Sequence, residues 1–274
     1  AEPVSPETIA AFTQRFARYG FKPEAMSPVY GLAEATLGVA FPPPGRGPRI
    51  DRVDRESLAK SGRAVPGSGT ASDALAFVAC GLPLPGHQVR VVDASDRELS
   101  EREEGHIQFS GPSATSGYFR NPDETRSLLH GAWVDTGDYG YIAEGELYIT
   151  GRVKDLIIKA GRNIYPYELE EAVSELEGIR KGCVAVFGSK DERFGTERVV
   201  VLAETREQDP ARREQLQARI NELAVSLLGM PADEIVLASP HTVLKTSSGK
   251  IRRAASRDSY ERGGKVGARP VWWQ

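Results

Sequence analysis

The chain is poor in sulfur-containing and ligand-forming residues, which limits the kinds of site it can hold. It has two cysteines and four histidines in 274 residues. Cys80 and Cys183 lie far apart with no Cys-x-x-Cys pair, so we expect two buried thiols in a reducing compartment rather than a zinc site or a disulfide framework. The histidines show no ligand spacing either, and no transition-metal site is expected.

Long apolar runs and an excess of charge of either sign are also missing. No apolar run approaches the roughly 20 residues that a bilayer span needs, and no signal segment opens the chain, so we expect no membrane span and a cytoplasmic location. The net charge is -3, from 35 basic and 38 acidic residues that are interspersed. This balance argues against nucleic acid as a partner.

What the chain does have is enough apolar sequence for real cores, at 40% of its residues. Residues 5–20 predict an ordinary packing helix. Residues 42–85 are rich in proline, charge and small residues, and predict an inserted, mostly irregular segment. Short alternating runs over 86–149 predict antiparallel strands in a small barrel or sheet, with the last two strands joined at Gly145.

The spacing of apolar residues changes after residue 151. Four elements are predicted there: a helix over 169–176, strands over 183–187 and 198–203, and a helix from Asp209 to Gly229. They suit a compact α+β domain with its boundary near 151–155. Because Ala1 opens a stretch typical of a domain interior, we expect the chain to be a piece of a longer protein.

An acid and an arginine in the predicted sheet suit a sugar. A carboxylate at a tight turn can accept hydrogen bonds from both hydroxyls of a ribose, and Asp138 follows Thr136 and Gly137 in such a position. Arg152 lies across the predicted hairpin and could contact the same sugar or a phosphate. Taken alone, Asp138 could equally cap a hairpin and Arg152 could be a surface arginine.

A lysine near the end of the chain lies in a Gly/Ser loop, Thr-Ser-Ser-Gly-Lys at 246–250. The loop is not a Walker P-loop, because the upstream glycine is missing and Ile251 follows the lysine. Lys250 could still deliver positive charge to a reacting carboxylate and an α-phosphate. The alternative is a solvated loop lysine.

Residues 30–34 offer a third set of groups. Tyr30 has an aromatic face for a base, Gly31 allows close backbone approach, and Glu34 could hold Mg²⁺ near phosphates. Tyr30 could also simply pack in a core.

Read together, these segments closely resemble the adenylate-forming superfamily of acyl-CoA ligases, peptide-synthetase adenylation domains and luciferases. The similar segments are 30–34 (its Tyr-Gly-x-Thr-Glu motif), 136–138 (its ribose-binding acid), 151–170 (its hinge and following loop) and 246–250 (its C-terminal lysine motif). The resemblance runs from Ala1 to about Arg253. It implies an α/β large domain whose last part, 1–150, includes a small β-barrel-like subdomain, and then a compact mobile α+β domain, 151–274.

The resemblance also implies a role for each site residue. In the large domain Tyr30 would stack on adenine with Gly31 and Leu32 beside it, Glu34 would bind Mg²⁺, and Asp138 and Arg152 would hold the ribose of ATP or of the product AMP. In the small domain Lys250 would be the adenylation lysine, Lys154 the hinge, and Gly161 a residue lining the approach of an acceptor thiol or a plain turn glycine. Residues 1–3 would border the adenine.

Two features resemble the fatty acyl-AMP ligase branch of the superfamily. The segment before the Gly-x-Pro-x-Pro-Gly turn at 81–86 is longer than in ordinary acyl-CoA ligases, and Ala33 replaces the usual threonine. The resemblance then implies a fatty acid substrate, ATP and Mg²⁺, and an acyl carrier protein as acceptor.

One departure and two alternatives remain. The superfamily's phosphate loop, expected upstream of Ala1, is absent, so this chain alone is expected to be inactive or weak. The nearest alternative is a fatty acyl-CoA ligase, and the alternative of another class is a non-catalytic module that binds a carrier protein or a partner half. The sequence suggests no role for Trp272 and Trp273.

Overall fold

The computed structural model describes residues 4–67, 73–191 and 196–263. The chain divides into two compact units between Val153 and Lys154. The predictions on residues 1–3 and the question of Trp272 and Trp273 lie outside the described residues. Whether the second unit moves, as the resemblance implies, stays a prediction.

The first unit is built mainly from antiparallel strands. Its helices are α1 (Pro6–Ala17), α2 (Arg55–Ser61) and α3 (Pro122–Leu128). Its strands are β1 (Ala40–Phe41), β2 (Ile50–Asp54), β3 (Ala74–Val78), β4 (Leu82–Pro83), β5 (Gln88–Val92), β6 (Gly105–Ser110), β7 (Leu129–His130), β8 (Trp133–Ala143) and β9 (Glu146–Arg152).

One five-stranded antiparallel sheet organises this unit. Its order is β5-β6-β8-β7, with β9 also paired to β8. The longest strand, β8, therefore pairs with three others, and its two register shifts are the bulges that let a sheet bend. The predicted antiparallel strands over 86–149 are confirmed. So is the predicted join at Gly145, where Glu144 and Gly145 both have positive φ, as a two-residue type I′ turn requires.

The prediction of an inserted, mostly irregular segment over 42–85 holds only in part, because regular elements occupy some of it. The segment contains β2, α2 and β3, and β2 pairs with β3 in a two-stranded antiparallel sheet. The helix has its own local signals, because the carboxylate of Asp54 caps its first turn and Gly62 ends it with a φ of 64°. Leu58 at its centre is fully buried. The charged residues Arg49, Arg52, Glu56 and Lys60 are exposed at the surface of this folded structure.

The prediction that α1 is an ordinary packing helix holds only in part. Its start is as expected, with Ser5 as the N-cap and Pro6 in the first turn. Of its side chains only Ile9 is buried, while Phe12 packs on Phe16 and on Phe21 with 41% of the residue exposed. The helical spacing gave the helix correctly but not how deeply its apolar face is buried.

The second unit is an α+β arrangement. Its elements are β10 (Ile157–Lys159), β11 (Arg162–Ile164), α4 (Pro166–Ser174), β12 (Ile179–Asp191), β13 (Thr196–Thr205), α5 (Pro210–Leu228), β14 (Glu234–Ala238) and α6 (Arg253–Glu261). The four predicted elements correspond to α4, β12, β13 and α5, with Asp209 and Gly229 capping α5 as expected. The strand β14, parallel to β13, and the helix α6 were not predicted.

Two further sequence predictions concern burial and membranes. Both Cys80 and Cys183 are buried free thiols, as predicted. Within the described ranges no helix has the length and apolar character needed to cross a bilayer. In the same part of the chain no cluster of three or more His, Cys, Asp or Glu side chains could hold a metal ion.

The folded segment 42–85 is tied to the main sheet through Asp51, and this predicts the effect of a substitution. Asp51 Oδ2 accepts hydrogen bonds from the hydroxyl of the fully buried Tyr141 at 2.8 Å and from Arg102 Nη1 at 3.0 Å. Replacing Asp51 with Ala leaves the Tyr141 hydroxyl buried without this partner, so we expect the free energy of unfolding to fall by about 1–3 kcal/mol.

Chemical denaturation followed by circular dichroism measures this loss. The control is Asp123→Ala, at a side chain that is 88% exposed, which we expect to change stability by less than about 0.5 kcal/mol. Adding Tyr141→Phe to Asp51→Ala should recover part of the loss, because the orphaned hydroxyl is then gone. Equal stability of Asp51→Ala and the control would contradict the anchoring role of Asp51.

Candidate active site

The predicted ribose acid, Asp138, lies inside β8 and not at the tight turn expected from the sequence. Between the pairs His106 with Tyr139 and Gln108 with Asp135, β8 advances four residues while β6 advances two. The extra residues form a bulge in which Gly137 has a φ of 69°. The bulge places Asp138 with its side chain only 8% exposed.

The sequence around Asp138 supports its own bulge. Thr136 Oγ1 donates to the carbonyl oxygen of Ile107 at 2.8 Å and accepts from the Asp138 N–H at 3.1 Å. The Gly137 N–H donates to Asp135 Oδ1 at 2.6 Å. Three backbone groups that the bulge removes from the ladder thus gain side-chain partners, which explains why Asp-Thr-Gly-Asp occurs here.

Tyr30 is the buried partner of Asp138. Its hydroxyl donates to Asp138 Oδ2 at 2.5 Å, and its ring lies in the core of the sheet with 4% of the residue exposed. Burial and the neighbouring Asp138 raise the pKa of Tyr30 well above its ordinary value, so the phenol keeps the proton that it donates. The predicted stacking of Tyr30 on adenine stays a prediction.

Arg152 is the exposed partner of the same acid. It is the cross-strand neighbour of Asp138 in the β8-β9 pair, and its Nε lies 3.3 Å from Asp138 Oδ1 while 62% of its side chain is exposed. Burial raises the pKa of Asp138, although the hydrogen bond from Tyr30 and the charge of Arg152 oppose the rise. One oxygen of the acid therefore faces the core and the other faces an arginine at the surface.

Gly31 and Leu32 lie beside this cluster but serve the fold. A Cβ at Gly31 would lie 1.6 Å from the carbonyl oxygen of Leu37, so the close backbone approach that the glycine permits is to the chain itself. Leu32 packs against the core of the sheet. Neither contact tests the predicted position of these residues beside adenine.

Glu34 has a partner that the sequence did not reveal. Glu34 lies in a short 3₁₀ turn, Ala33–Ala35, and its Oε1 accepts a hydrogen bond from the Tyr118 hydroxyl at 2.6 Å. This bond raises the pKa of Tyr118 to about 12. The two residues are 84 positions apart, and no local signal in the sequence could have paired them.

The surroundings of Glu34 fit the way in which Mg²⁺ is usually held in nucleotide sites. Such an ion takes one or two carboxylates and completes its shell with substrate phosphates and water. Tyr118 contacts one carboxylate oxygen of Glu34 and fixes its orientation, which leaves the second oxygen facing away from that bond. A single, oriented carboxylate is therefore compatible with the predicted ion.

The predicted lysine, Lys250, ends a loop with internal hydrogen bonds. The Thr246 N–H donates to the Lys250 carbonyl at 2.8 Å, and the Lys250 N–H donates to Thr246 Oγ1 at 3.0 Å. Gly249 has a φ of 89°, a conformation that suits glycine. The loop is thus a closed turn, and the lysine backbone is held while its side chain can extend.

The other two predicted residues also belong to the second unit. Lys154 is its first residue, in the turn after β9. Gly161, with Ala160, forms the two-residue turn between β10 and β11, and both have positive φ. The structure thus brings together Tyr30, Asp138 and Arg152 with Gly31 and Leu32 beside them, and pairs Glu34 with Tyr118. It places Lys154, Gly161 and Lys250 in the second unit.

Comparison with known proteins identifies the family. A profile of AMP-binding enzymes matches residues 1–119. A solved structure from a study of fatty acyl-adenylate ligases from E. coli and L. pneumophila superposes with a TM-score of 0.86 at 36% identity, over 96% of this chain and 46% of that one. The chain belongs to the adenylate-forming superfamily. Its fold is like that of the fatty acyl-AMP ligases, an α/β adenylate-forming fold with a curled half-barrel sheet.

Some relatives within the superfamily are named for the formation of acyl-AMP and others for the formation of acyl-CoA. A Caulobacter vibrioides protein named provisionally as an acyl-CoA synthetase is 39% identical over 92% of this chain and 44% of its own length. A long-chain-fatty-acid AMP ligase of Mycolicibacterium smegmatis is 34% identical over 95% of this chain and 47% of its own length. The chain thus spans about half the length of these adenylate-forming relatives.

The raised pKa of Asp138 predicts how a substitution changes stability with pH. A carboxyl group whose pKa is raised by folding lowers the free energy of unfolding once the pH exceeds its pKa in the unfolded chain, about 3.9. This decrease in stability becomes constant when the pH exceeds the pKa of the group in the folded protein. Asp138→Asn removes the ionisable group and therefore this pH-dependent decrease in stability. We therefore expect Asp138→Asn to be more stable than the unsubstituted protein at pH 7, with the difference shrinking as the pH falls toward 4.

Thermal unfolding between pH 4 and 8 measures this difference. Asp123→Asn, at an exposed position of α3, is the matched control and should follow the unsubstituted protein at every pH. An Asp138→Asn protein that is less stable than the control at pH 7 would mean that Tyr30 and Arg152 outweigh the cost of burial.

Proposed function

We propose that the natural protein, at its full length, is an adenylate-forming ligase that activates a fatty acid. The fatty carboxylate attacks the α-phosphate of ATP, a bond forms between carboxylate oxygen and phosphorus, and pyrophosphate leaves, giving an acyl-adenylate. The observation that carries the proposal is the placement of Asp138 between Tyr30 and Arg152 on a strand bulge. A surface or capping role would not require this burial.

In this proposal Asp138 recognises the ribose of the nucleotide. An ionised carboxylate has acceptor positions for both ribose hydroxyls, and Tyr30 fills only one of them. Arg152 stabilises the charged form and could contact the same sugar. Because burial raises the pKa of Asp138, its ionisation and hence its binding of hydroxyls should weaken in acid.

Glu34 and Lys250 supply the charges that the phosphate chemistry requires. Glu34, oriented by Tyr118, would hold Mg²⁺, which when bound neutralises the phosphates of ATP. Lys250 would stabilise the negative charge that develops in the in-line transition state. Its backbone lies in a closed turn, which limits where its ammonium group can go.

We propose that the acyl group then passes to the phosphopantetheine thiol of an acyl carrier protein. Support comes from the folded segment 42–85, whose length resembles the insertion of fatty acyl-AMP ligases, and from the relative named as a long-chain-fatty-acid AMP ligase. Gly161, without a side chain in an exposed turn, would line the approach of the thiol, and Lys154 would be the hinge. A cytoplasmic location remains part of this proposal.

The second candidate function is a fatty acyl-CoA ligase. It is favoured by the Caulobacter vibrioides relative, whose name refers to CoA and which is 39% identical. The two candidates share the adenylation step and differ only in the thiol that accepts the acyl group.

Mass spectrometry of the products tests the proposal. The full-length protein is incubated with a fatty acid, Mg-ATP, CoA and a carrier protein that carries phosphopantetheine, and we expect acyl-adenylate and acyl-carrier without acyl-CoA. Because removal of a charge that acts in the transition state costs roughly 10²–10³-fold in rate, Lys250→Ala should lower acyl-adenylate formation by about this factor. Lys245→Ala, at an exposed lysine of the same segment, is the control.

Each outcome has a clear meaning. Abundant acyl-CoA would favour the second candidate and would remove the support that the segment 42–85 gives to the first. Full adenylation by Lys250→Ala would overturn the role given to Lys250. Absence of any acyl-adenylate from the full-length protein with a range of fatty acids would overturn the proposed function itself.

A further inference from the structure

An arginine beyond the predicted lysine motif lies at the centre of a buried charge network in the second unit. Arg253 is the first residue of α6, and its side chain is 16% exposed. Its Nε and Nη2 donate to the two carboxylate oxygens of Glu170 at 2.7 and 2.6 Å, and its Nη1 donates to Asp155 Oδ2 at 2.7 Å. Three charged hydrogen bonds thus converge on one guanidinium.

Glu170 links this network to the core of the unit. It lies in α4 with 5% of the residue exposed, and its Oε1 also accepts the backbone N–H of Val186, a fully buried residue of β12. Two buried charges are costly unless geometry and hydrogen bonds compensate, and here both carboxylate oxygens and all three kinds of guanidinium nitrogen have partners. The position of Arg253 is therefore set by the core.

Asp155 links the network to the predicted hinge. It follows Lys154 directly, and Lys154, Asp155 and Arg253 line the same shallow cavity. The carboxylate of Asp155 therefore connects the first turn of the second unit to the start of α6.

The loop that carries Lys250 ends at the same point. Lys245 and Ile251 form an isolated bridge, and the Arg252 N–H donates to the Leu244 carbonyl at 2.8 Å. The Leu244 N–H in turn donates to Oγ of the buried Ser256 in α6. The base of the loop is thus fastened to α6, whose first residue is held by Asp155 and Glu170.

We propose that Arg253 is a positioning residue that fixes the Lys250 loop relative to the hinge segment, so that the loop and residues 154–155 move as one body. The inference rests on the proposed function for the role of Lys250 but not for the coupling itself. Without the guanidinium, α6 and the base of the loop lose their common anchor, and the ammonium group of Lys250 samples more positions than the reaction can use. Rate should then suffer more than substrate binding.

The kinetic test uses the full-length protein and the adenylation half-reaction, measured by pyrophosphate exchange. We expect Arg253→Gln and Asp155→Asn to lower kcat by roughly 10–100-fold while the KM values for ATP and fatty acid change less than about threefold, since small misplacements of a catalytic group cost about this much. Arg253→Lys keeps the charge but not the fork, and should recover only part of the rate.

Arg212→Gln is the matched control. It lies in α5 of the same unit, its side chain is 71% exposed, and its Nη1 is 3.4 Å from Glu207 Oε2. Asp155→Asn keeps the bond pair between Arg253 and Glu170, so it tests the link to the hinge segment even if Arg253→Gln does not fold.

Hydrogen exchange tests the coupling without any activity. In Asp155→Asn and Arg253→Gln the amides of residues 244–252 should exchange at least about tenfold faster, because the bonds that close the loop open locally, while those of β13 stay unchanged. A role in stability alone would instead speed exchange throughout the second unit and leave the loop no more affected than β13.

The outcomes separate the inference from the proposed function. If the unsubstituted protein adenylates fatty acids but both variants retain its kcat, or if the loop exchanges no faster, the coupling is wrong and the proposed function stands. If the unsubstituted protein forms no adenylate, the proposed function fails, while faster exchange confined to 244–252 would still support the coupling.

Discussion

A carboxylate buried in the middle of a β-strand is the constraint on which the first unit depends. Such a group needs donors around it, because an uncompensated buried charge is strongly destabilising. Asp138 obtains them from Tyr30 on the core side and Arg152 on the surface side. To present the carboxylate between them, β8 must bulge, and Gly137 and the Thr136 hydroxyl make that bulge possible. The sequence motif, the bulge and the two hydrogen-bonding partners thus act together to hold a buried carboxylate in the strand.

The same physical pattern recurs across both units. Each of several largely buried acids joins different segments of the chain through an ion pair, and the pairs are Asp51 with Arg102, Glu170 with Arg253, and Glu204 with Arg180. Buried ion pairs add little net stability compared with apolar packing, yet each is very sensitive to loss of one partner. We therefore infer that these acids fix the relative positions of the chain segments that they join. The hydrophobic cores provide most of the free energy of folding.

The sequence predicted the features that depend only on neighbouring residues, such as helix caps and tight turns. The caps of α5 at Asp209 and Gly229 and the turn at Gly145 are encoded by neighbouring residues. The pairing of Asp138 with Arg152 needs more than the turn, because a register shift between Tyr139 and Gly140 moves the partner of Asp138 on by one residue. The partner of Glu34 and the helix α6 were missed, because Tyr118 is distant in sequence and α6 begins without a side-chain cap. Long-range contacts decide such features, and a single sequence does not display them.

Calorimetric titration of the full-length protein with ATP and with 2′,3′-dideoxy-ATP tests the proposed role of the buried Asp138 as acceptor of hydrogen bonds from the ribose. Hydrogen bonds to a charged acceptor are worth about 1.5–3 kcal/mol, so we expect ATP to bind roughly 10- to 100-fold more tightly than the dideoxy analogue. In Asp138→Asn this preference should largely disappear. Equal affinity of the unsubstituted protein for the two nucleotides would contradict the assignment.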